Sequence, residues 1–384
     1  MIPRETLKRL AGIYSEQGTA ISFYFKPETP QNRAHQAEPI LIKGKLRELL
    51  GSLSEIARKG AGEELQRIVK TSEELRVNPR AKAIFACKEH DLWIDLDIAA
   101  APETRLSMGK NFRLAPLFLG SRDEPRCCIV VLDREKTRVF LMRGPEIIEQ
   151  SEVIDDEPRE VRITGTGGST KTERQKREPV KQHFKFVADH LLHFFDRDEF
   201  DLLIFGTRDE LWSEFESKLH PSLRQIMIGR FAADPGLIRI EEVREQARKL
   251  FEQRHSGEVE DLLRTVYGES QRNGRGVVGL GSVLASLEKG EVETLLLSDQ
   301  ELGPAAECAN CGHLMAEAAS KCEICNQQMR TFDSAAECLL RKIIASNNVD
   351  LEMLPNHPQL KQLGGVAAQL RFRADQSTPQ KQAG

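Results

Sequence analysis

Two short stretches of this 384-residue chain have the residue types and spacing to do chemistry. Cys308 and Cys311, then Cys322 and Cys325, form C-x2-C-x10-C-x2-C. Two residues between cysteines let both thiolates of a pair reach one ion. Gly312 and Asn326, which follow the pairs, are types that tolerate the left-handed backbone of a knuckle. Four thiolates leave no open coordination position, so the pattern predicts one structural Zn2+ and no catalytic metal. The central spacing is shorter than the roughly 15–20 residues of common zinc ribbons, which fits a miniature one. A redox pair or four unlinked thiols is the competing reading. His313 could substitute as a ligand, although a solvated loop histidine is the simpler assignment. Cys127 and Cys128 are neighbours in an apolar run, point to opposite faces of a strand, and read as core thiols rather than a disulfide.

The second stretch is GTGGSTKTERQKREP, residues 165–179. Gly165, Lys171 and Thr172 nearly complete a phosphate-binding loop, but Thr170 stands where a glycine must let the backbone wrap a phosphate. The residues that follow are polar and include Pro179, whereas such a loop must enter a buried amphipathic helix. A nucleotide cradle is therefore rejected. Taken alone, the stretch reads as a spacer followed by a solvated basic face. Ser169 has no base beside it and makes a poor nucleophile.

The elements around these stretches alternate between strand and helix, so the fold class is α/β, mixed α+β in part. Residues 1–120 open with a short helix, then an alternating strand in AISFYFKP. Leu46, Leu49, Leu50 and Leu53 recur at helical spacing, and two strands follow around a polar turn at Lys88 to Asp91. Residues 121–272 carry the CCIVVLD–TRVFLMRG hairpin, a third strand EIIEQSEV and the 165–179 loop. A helix then places Phe184, Val187, Ala188, Leu191, Leu192 and Phe195 on one face, before a buried strand FDLLIFGT. A charged helical segment follows. Residues 273–375 hold two helix–strand pairs, the cysteine pairs at 308–325 and a glycine turn into a last strand. Residues 376–384 are polar and read as a disordered tail. The net charge of −4 excludes a uniformly basic nucleic-acid binder but not a local basic patch. No run approaches the ~20 apolar residues of a membrane span and no secretory h-region is visible, so a cytoplasmic protein is expected.

Three pieces resemble archaeo-eukaryotic class-one peptide chain release factors and their relative Pelota. GVVGLGSVLASLEKGEVETLLLSD is similar to the opening of the family's third domain. The cysteine pairs follow where archaeal release factors carry a zinc mini-domain, and QLGGVAAQLRFR resembles the closing signature. Gly167 and Gly168 match the two glycines of the family's G-G-Q loop, which precedes a basic segment and a His-headed helix, with His183 near the helix start. The resemblance covers most of residues 125–375, and only in outline the first segment. It implies a diverged bacterial member with three domains and a zinc ribbon inserted in the third.

The family hydrolyses the ester between nascent peptide and tRNA. The resemblance therefore implies codon-independent peptidyl-tRNA hydrolysis in ribosome rescue, with Gly167, Gly168 and Ser169 or Gln175 as catalytic-loop residues. Lys171, Arg174, Lys176, Arg177, Lys181 and Lys185 would meet RNA phosphates. Implied partners are the ribosome, ribosomal RNA and peptidyl-tRNA, with a translational GTPase as a further candidate, and neither DNA nor membrane. Two departures from the family matter, the first against hydrolysis and the second against codon-specific termination. Ser169 replaces the family's glutamine, and the first segment lacks an N-I-K-S-like tetrapeptide for reading stop codons. The alternatives are a non-catalytic Pelota-like ribosome- or RNA-binding factor and a zinc-ribbon interaction scaffold.

Overall fold

The computed structural model describes residues 2–26, 44, 47–48, 51, 55–75, 81–98, 101, 103–119, 125–144, 146–150, 169–299, 302–346 and 348–374. For 55–60, 72–75 and 169–178 the description is of the backbone alone. Leu46, Leu49, Leu50, Leu53 and the tail from residue 375 lie outside the described residues. The chain divides into two compact units. One joins Met1–Arg122 to Asp261–Gly384, and the other is Asp123–Glu260.

In the first unit, helix Arg4–Gly12 leads to an antiparallel sheet of order β3-β2-β1-β4. Its strands are β1 (Ala20–Phe25), β2 (Lys82–Cys87), β3 (Leu92–Asp97) and β4 (Arg105–Gly109). The polar turn at 88–91 forms as read, a single helical turn closed by Asp91 at φ 45°. Aspartate tolerates this left-handed backbone better than a branched residue would. The alternation read in β1 does not describe its environment, because all six residues are buried. Ile21, Phe23 and Phe25 face Ala61, Leu65 and Ile68 of helix Glu55–Leu75. Ala20 and Tyr24 face a larger core shared with residues 277–370.

The second unit is a five-stranded sheet of order β7-β6-β5-β8-β9. It comprises β5 (Cys127–Leu132), β6 (Thr137–Arg143), β7 (Glu146–Glu149), β8 (Leu202–Gly206) and β9 (Met227–Phe231). β5, β6 and β7 form an antiparallel meander, whereas β5, β8 and β9 run parallel. Each face carries a helix. Phe184, Val187, Ala188, Leu191 and Phe194 of helix Ser169–Asp196 pack with Cys128, Val130 and Phe205. Val243 and Ala247 of helix Ile240–Gln271 pack with Cys127, Val131 and Ile204. The adjacent cysteines thus enter opposite cores, as strand geometry requires.

The rest of the first unit is a sheet of order β10-β16-β11-β15, from β10 (Gly276–Val278), β11 (Val292–Leu297), β15 (Asp350–Met353) and β16 (Val366–Leu370). β11 and β15 are parallel. Helices Leu280–Glu288 and Ala335–Ser346 supply Val283, Leu284, Leu339 and Leu340 to the shared core. Gly276 shows why a glycine opens this region. A Cβ there would lie 2.1 Å from the carbonyl oxygen of Val266. Between β11 and helix Ala335–Ser346, β12 (Ala305–Cys308), β13 (Leu314–Met315) and β14 (Met329–Phe332) form a separate three-stranded sheet of order β13-β12-β14.

Candidate metal centre and basic helix

The three-stranded sheet positions the four cysteines. Cys308 ends β12, and the turn back to β13 is closed by Cys308 N–H donating to the His313 carbonyl (2.8 Å) and Gly312 N–H to the Cys308 carbonyl (3.0 Å). The second pair repeats this geometry. Cys322 N–H donates to the Gln327 carbonyl (2.9 Å) and Asn326 N–H to the Cys322 carbonyl (2.9 Å). Gly312 at φ 74° and Asn326 at φ 57° take the left-handed conformation that each knuckle needs. The two turns bring all four sulfurs within 4.8 Å of one another, with Cys308 to Cys325 at 3.4 Å and Cys311 to Cys322 at 3.5 Å.

The backbone around the cluster favours thiolates. The Cys311 N–H points at the Cys308 sulfur (3.5 Å) and lowers its pKa, while the Gln327 N–H brings Cys325 down to about 6. Cys311 behaves oppositely. The His313 N–H favours its thiolate, but burial and the other three sulfurs outweigh it and push it up to about 12. Thiolates this close repel, and a soft divalent cation at their centre removes the conflict. The donor set, the N–H bonds to sulfur and the sulfur spacing therefore fit a tetrahedral metal.

His313 lies outside the cluster of four sulfurs and is half-buried rather than a solvated loop residue. Its Nδ1 lies 2.9 Å from Glu288 Oε1, and the same carboxylate accepts the Leu314 N–H, tying the first knuckle to helix Leu280–Glu288. The sheet is anchored elsewhere too. Thr331 N–H donates to the Tyr14 hydroxyl (3.2 Å), the Tyr14 and Phe332 rings meet edge to face, and Arg341 pairs with Glu307 at 3.0 Å.

In the second unit, the helix starts well before its apolar face indicates. It runs unbroken from Ser169 to Asp196, through Pro179. Lys, Arg, Glu and Gln are strong helix formers, so the polar part of 165–179 extends the helix. Pro179 removes one N–H and crowds the carbonyl four residues back, at a cost of about 3 kcal/mol that the buried second half offsets. His183 consequently sits mid-helix and does not head it. It is buried, with Nε2 3.0 Å from Thr137 Oγ1 at the start of β6.

Of the loop residues named from sequence, Gly167 and Gly168 lie outside the described residues and Ser169 is the first described residue of the helix. Gln175 follows about 9 Å along the axis. Lys171, Arg174, Lys176 and Arg177 all fall on the helix, and Lys181 and Lys185 are exposed. A helical backbone sorts these positions. Lys171, Arg174, Arg177, Lys181 and Lys185 follow one another in steps of three and four and so share one side, while Lys176 falls on another. Glu178 occupies a backbone position within the same arc. A loop reading of this stretch hides that arrangement, and the 3-4 spacing of the basic residues is the sequence signal for it.

Residues 113–255 match the family described as bacterial archaeo-eukaryotic release factor family 10. The chain is also 26% identical over 292 residues to peptide chain release factor subunit 1 of Archaeoglobus fulgidus, covering 69% of this chain and 70% of that one. The chain is thus similar to release factors over residues 113–255 and, more weakly, over about two thirds of its length. Among solved structures, Archaeoglobus fulgidus Pelota matches at 15% identity over 97% of this chain and 93% of that chain, with a TM-score of 0.36. A ribosome-bound archaeal Pelota with ABCE1 matches at 19% identity over 77% and 78%, with a TM-score of 0.39. Among the described residues no helix is long and apolar enough to cross a membrane.

Proposed function

We propose that the protein occupies the ribosome in place of a tRNA and promotes codon-independent hydrolysis of peptidyl-tRNA, as a rescue factor. The observation that supports this most is the position of Gly167 and Gly168. In sequence they directly precede the first described residue of helix Ser169–Asp196, inside the segment that the release-factor family matches. The first N–H groups of a helix lack intrahelical partners, and its dipole adds partial positive charge there. Such an end, carried into a peptidyl transferase centre, favours the oxyanion that forms when water attacks the ester carbonyl. The ester C–O bond then breaks, the peptide leaves as a carboxylic acid and the tRNA hydroxyl recovers a proton.

In this reading the Ser169 N–H and hydroxyl orient the water. Gln175, almost two turns further along, does not reach the same point. The aligned cations Lys171, Arg174, Arg177, Lys181 and Lys185 meet ribosomal RNA phosphates. Cys308, Cys311, Cys322 and Cys325 hold a structural Zn2+ that fixes the ribbon. The proposed partners are the ribosome, its RNA and peptidyl-tRNA, with a translational GTPase as a further one, in the cytoplasm.

Co-sedimentation with ribosomes across a salt series tests the binding part. Wild-type protein should bind at low salt and lose affinity steeply as salt rises, and charge reversal along the helix should flatten that slope. Salt-independent binding, or none, would defeat the reading. A non-catalytic, Pelota-like occupant is the second reading, favoured by Ser169 in the place of the family's glutamine. Ribosome binding without peptide release would select it.

A further inference from the structure

One carboxylate joins the two chain segments of the first compact unit. Glu337, in the first turn of helix Ala335–Ser346, is only 4% exposed. Its Oε2 accepts the Leu114 N–H at 2.8 Å and its Oε1 accepts the Ala115 N–H at 3.3 Å. These donors belong to the start of the short helix Ala115–Phe118, more than 200 residues away in sequence. Glu337 also lines two cavities along this seam, of about 320 and 40 Å3. A carboxylate placed here is cut off from bulk water yet adjoins space in which small numbers of waters fit.

The charged groups around it do not neutralise it simply. β4 supplies Arg105, with Glu103 just before it at 3.5 Å. The turn after β4 supplies Arg113, whose carbonyl accepts the buried Tyr24 hydroxyl at 2.6 Å. Asp299, beyond β11, and Asp333, before the helix, add two carboxylates to the cavity walls. This mixture singles out no ligand class, and Glu337 is a buried carboxylate that bridges the two segments.

We propose that Glu337 is a proton-dependent clasp that holds the first chain segment against the third, tight when its carboxyl carries a proton and weakened when it is ionised. A neutral carboxyl can receive both N–H groups through its two oxygens without burying a net charge. An ionised one makes stronger hydrogen bonds but carries its charge into the seam. The balance favours the neutral form. Burial raises the Glu337 pKa to about 7, against the opposing pull of the Leu114 and Ala115 N–H groups and of Arg113. The sign follows from the raised value. The clasp's stabilisation is complete below the ordinary carboxylate range near 4.5, falls as pH rises towards 7 and is constant above that. Docking of the segments should therefore be roughly tenfold weaker at pH 8 than at pH 6.

Amide hydrogen exchange at Leu114 and Ala115 in the full chain reads the clasp directly, after correction for the intrinsic pH dependence of exchange. Protection in the wild type should fall about tenfold between pH 6 and pH 8. In Glu337→Gln it should be the same at both pH values, and in Asp299→Asn and Asp333→Asn it should follow the wild type. Equal protection of the wild type at both pH values overturns the proposal, even if Glu337→Gln does not fold. So does a pH dependence that survives in Glu337→Gln, or one that disappears in either aspartate variant.

Discussion

The cysteine ribbon and the glycine-led helix were equally conspicuous in the sequence, yet the sequence constrains them to very different degrees. In the ribbon, residue spacing and backbone geometry are the same information. Two residues between cysteines, followed by Gly312 or Asn326 in a left-handed turn, leave the sulfurs few places to go. In the helix, spacing acquires meaning only once the backbone is known. The same basic residues are a scattered cluster in a loop but mostly one stripe on a helix. A local motif whose ligands face one ion carries its own geometry, whereas a surface motif borrows geometry from the element beneath it.

The ribbon side of this comparison breaks most severely. Replacing Cys322 with serine should remove the single zinc expected per chain and unfold the ribbon, because structural zinc supplies about 10–16 kcal/mol in small domains. Elemental analysis and exchange protection over 305–332 check it. Full zinc occupancy in that variant would show that the cluster is not the metal centre.

The helix should fail by ordinary core physics. Phe184 is fully buried against Phe215, and Phe184→Ala should cost about 3–5 kcal/mol in denaturant unfolding of the full chain. A cost below about 1 kcal/mol would mean that the helix does not depend on this face. A smaller effect is expected at the ribbon's anchor. Tyr14→Phe strands the Thr331 N–H and should cost on the order of 1 kcal/mol with zinc content unchanged. Lys181→Glu combined with Lys185→Glu should change stability by less than about 0.5 kcal/mol, since both are exposed, while lowering ribosome co-sedimentation. Unchanged co-sedimentation would leave the stripe as solvated surface.

Several elements were legible because local chemistry decides them. The turn at 88–91 needed polar residues and a tolerated left-handed Asp91, and it has both. The β5–β6 hairpin closes on Asp133, whose side chain accepts the Glu135 and Lys136 N–H groups. Other features depend on partners far along the chain. β1 reads as half-buried because nothing within it says that residues 277–370 cover its second face. Phe194 escaped the apolar stripe that named Phe195, although it is the more deeply buried of the two. Nothing in the sequence around Glu337 marks it as buried, and only the approach of Leu114 and Ala115 makes it a buried bridge. The helix start at Ser169 was hidden by Pro179 and by the absence of apolar residues between Ser169 and Val180.

Release of labelled peptide from peptidyl-tRNA on ribosomes or large subunits, comparing the wild type with Gly168→Ala, tests the proposed activity most directly. Wild-type protein is expected to release peptide without a stop codon, and Gly168→Ala to lose release while ribosome binding persists. Release that is equal in both proteins, or absent from a wild type that binds ribosomes, would contradict a hydrolytic role for the glycine-led helix.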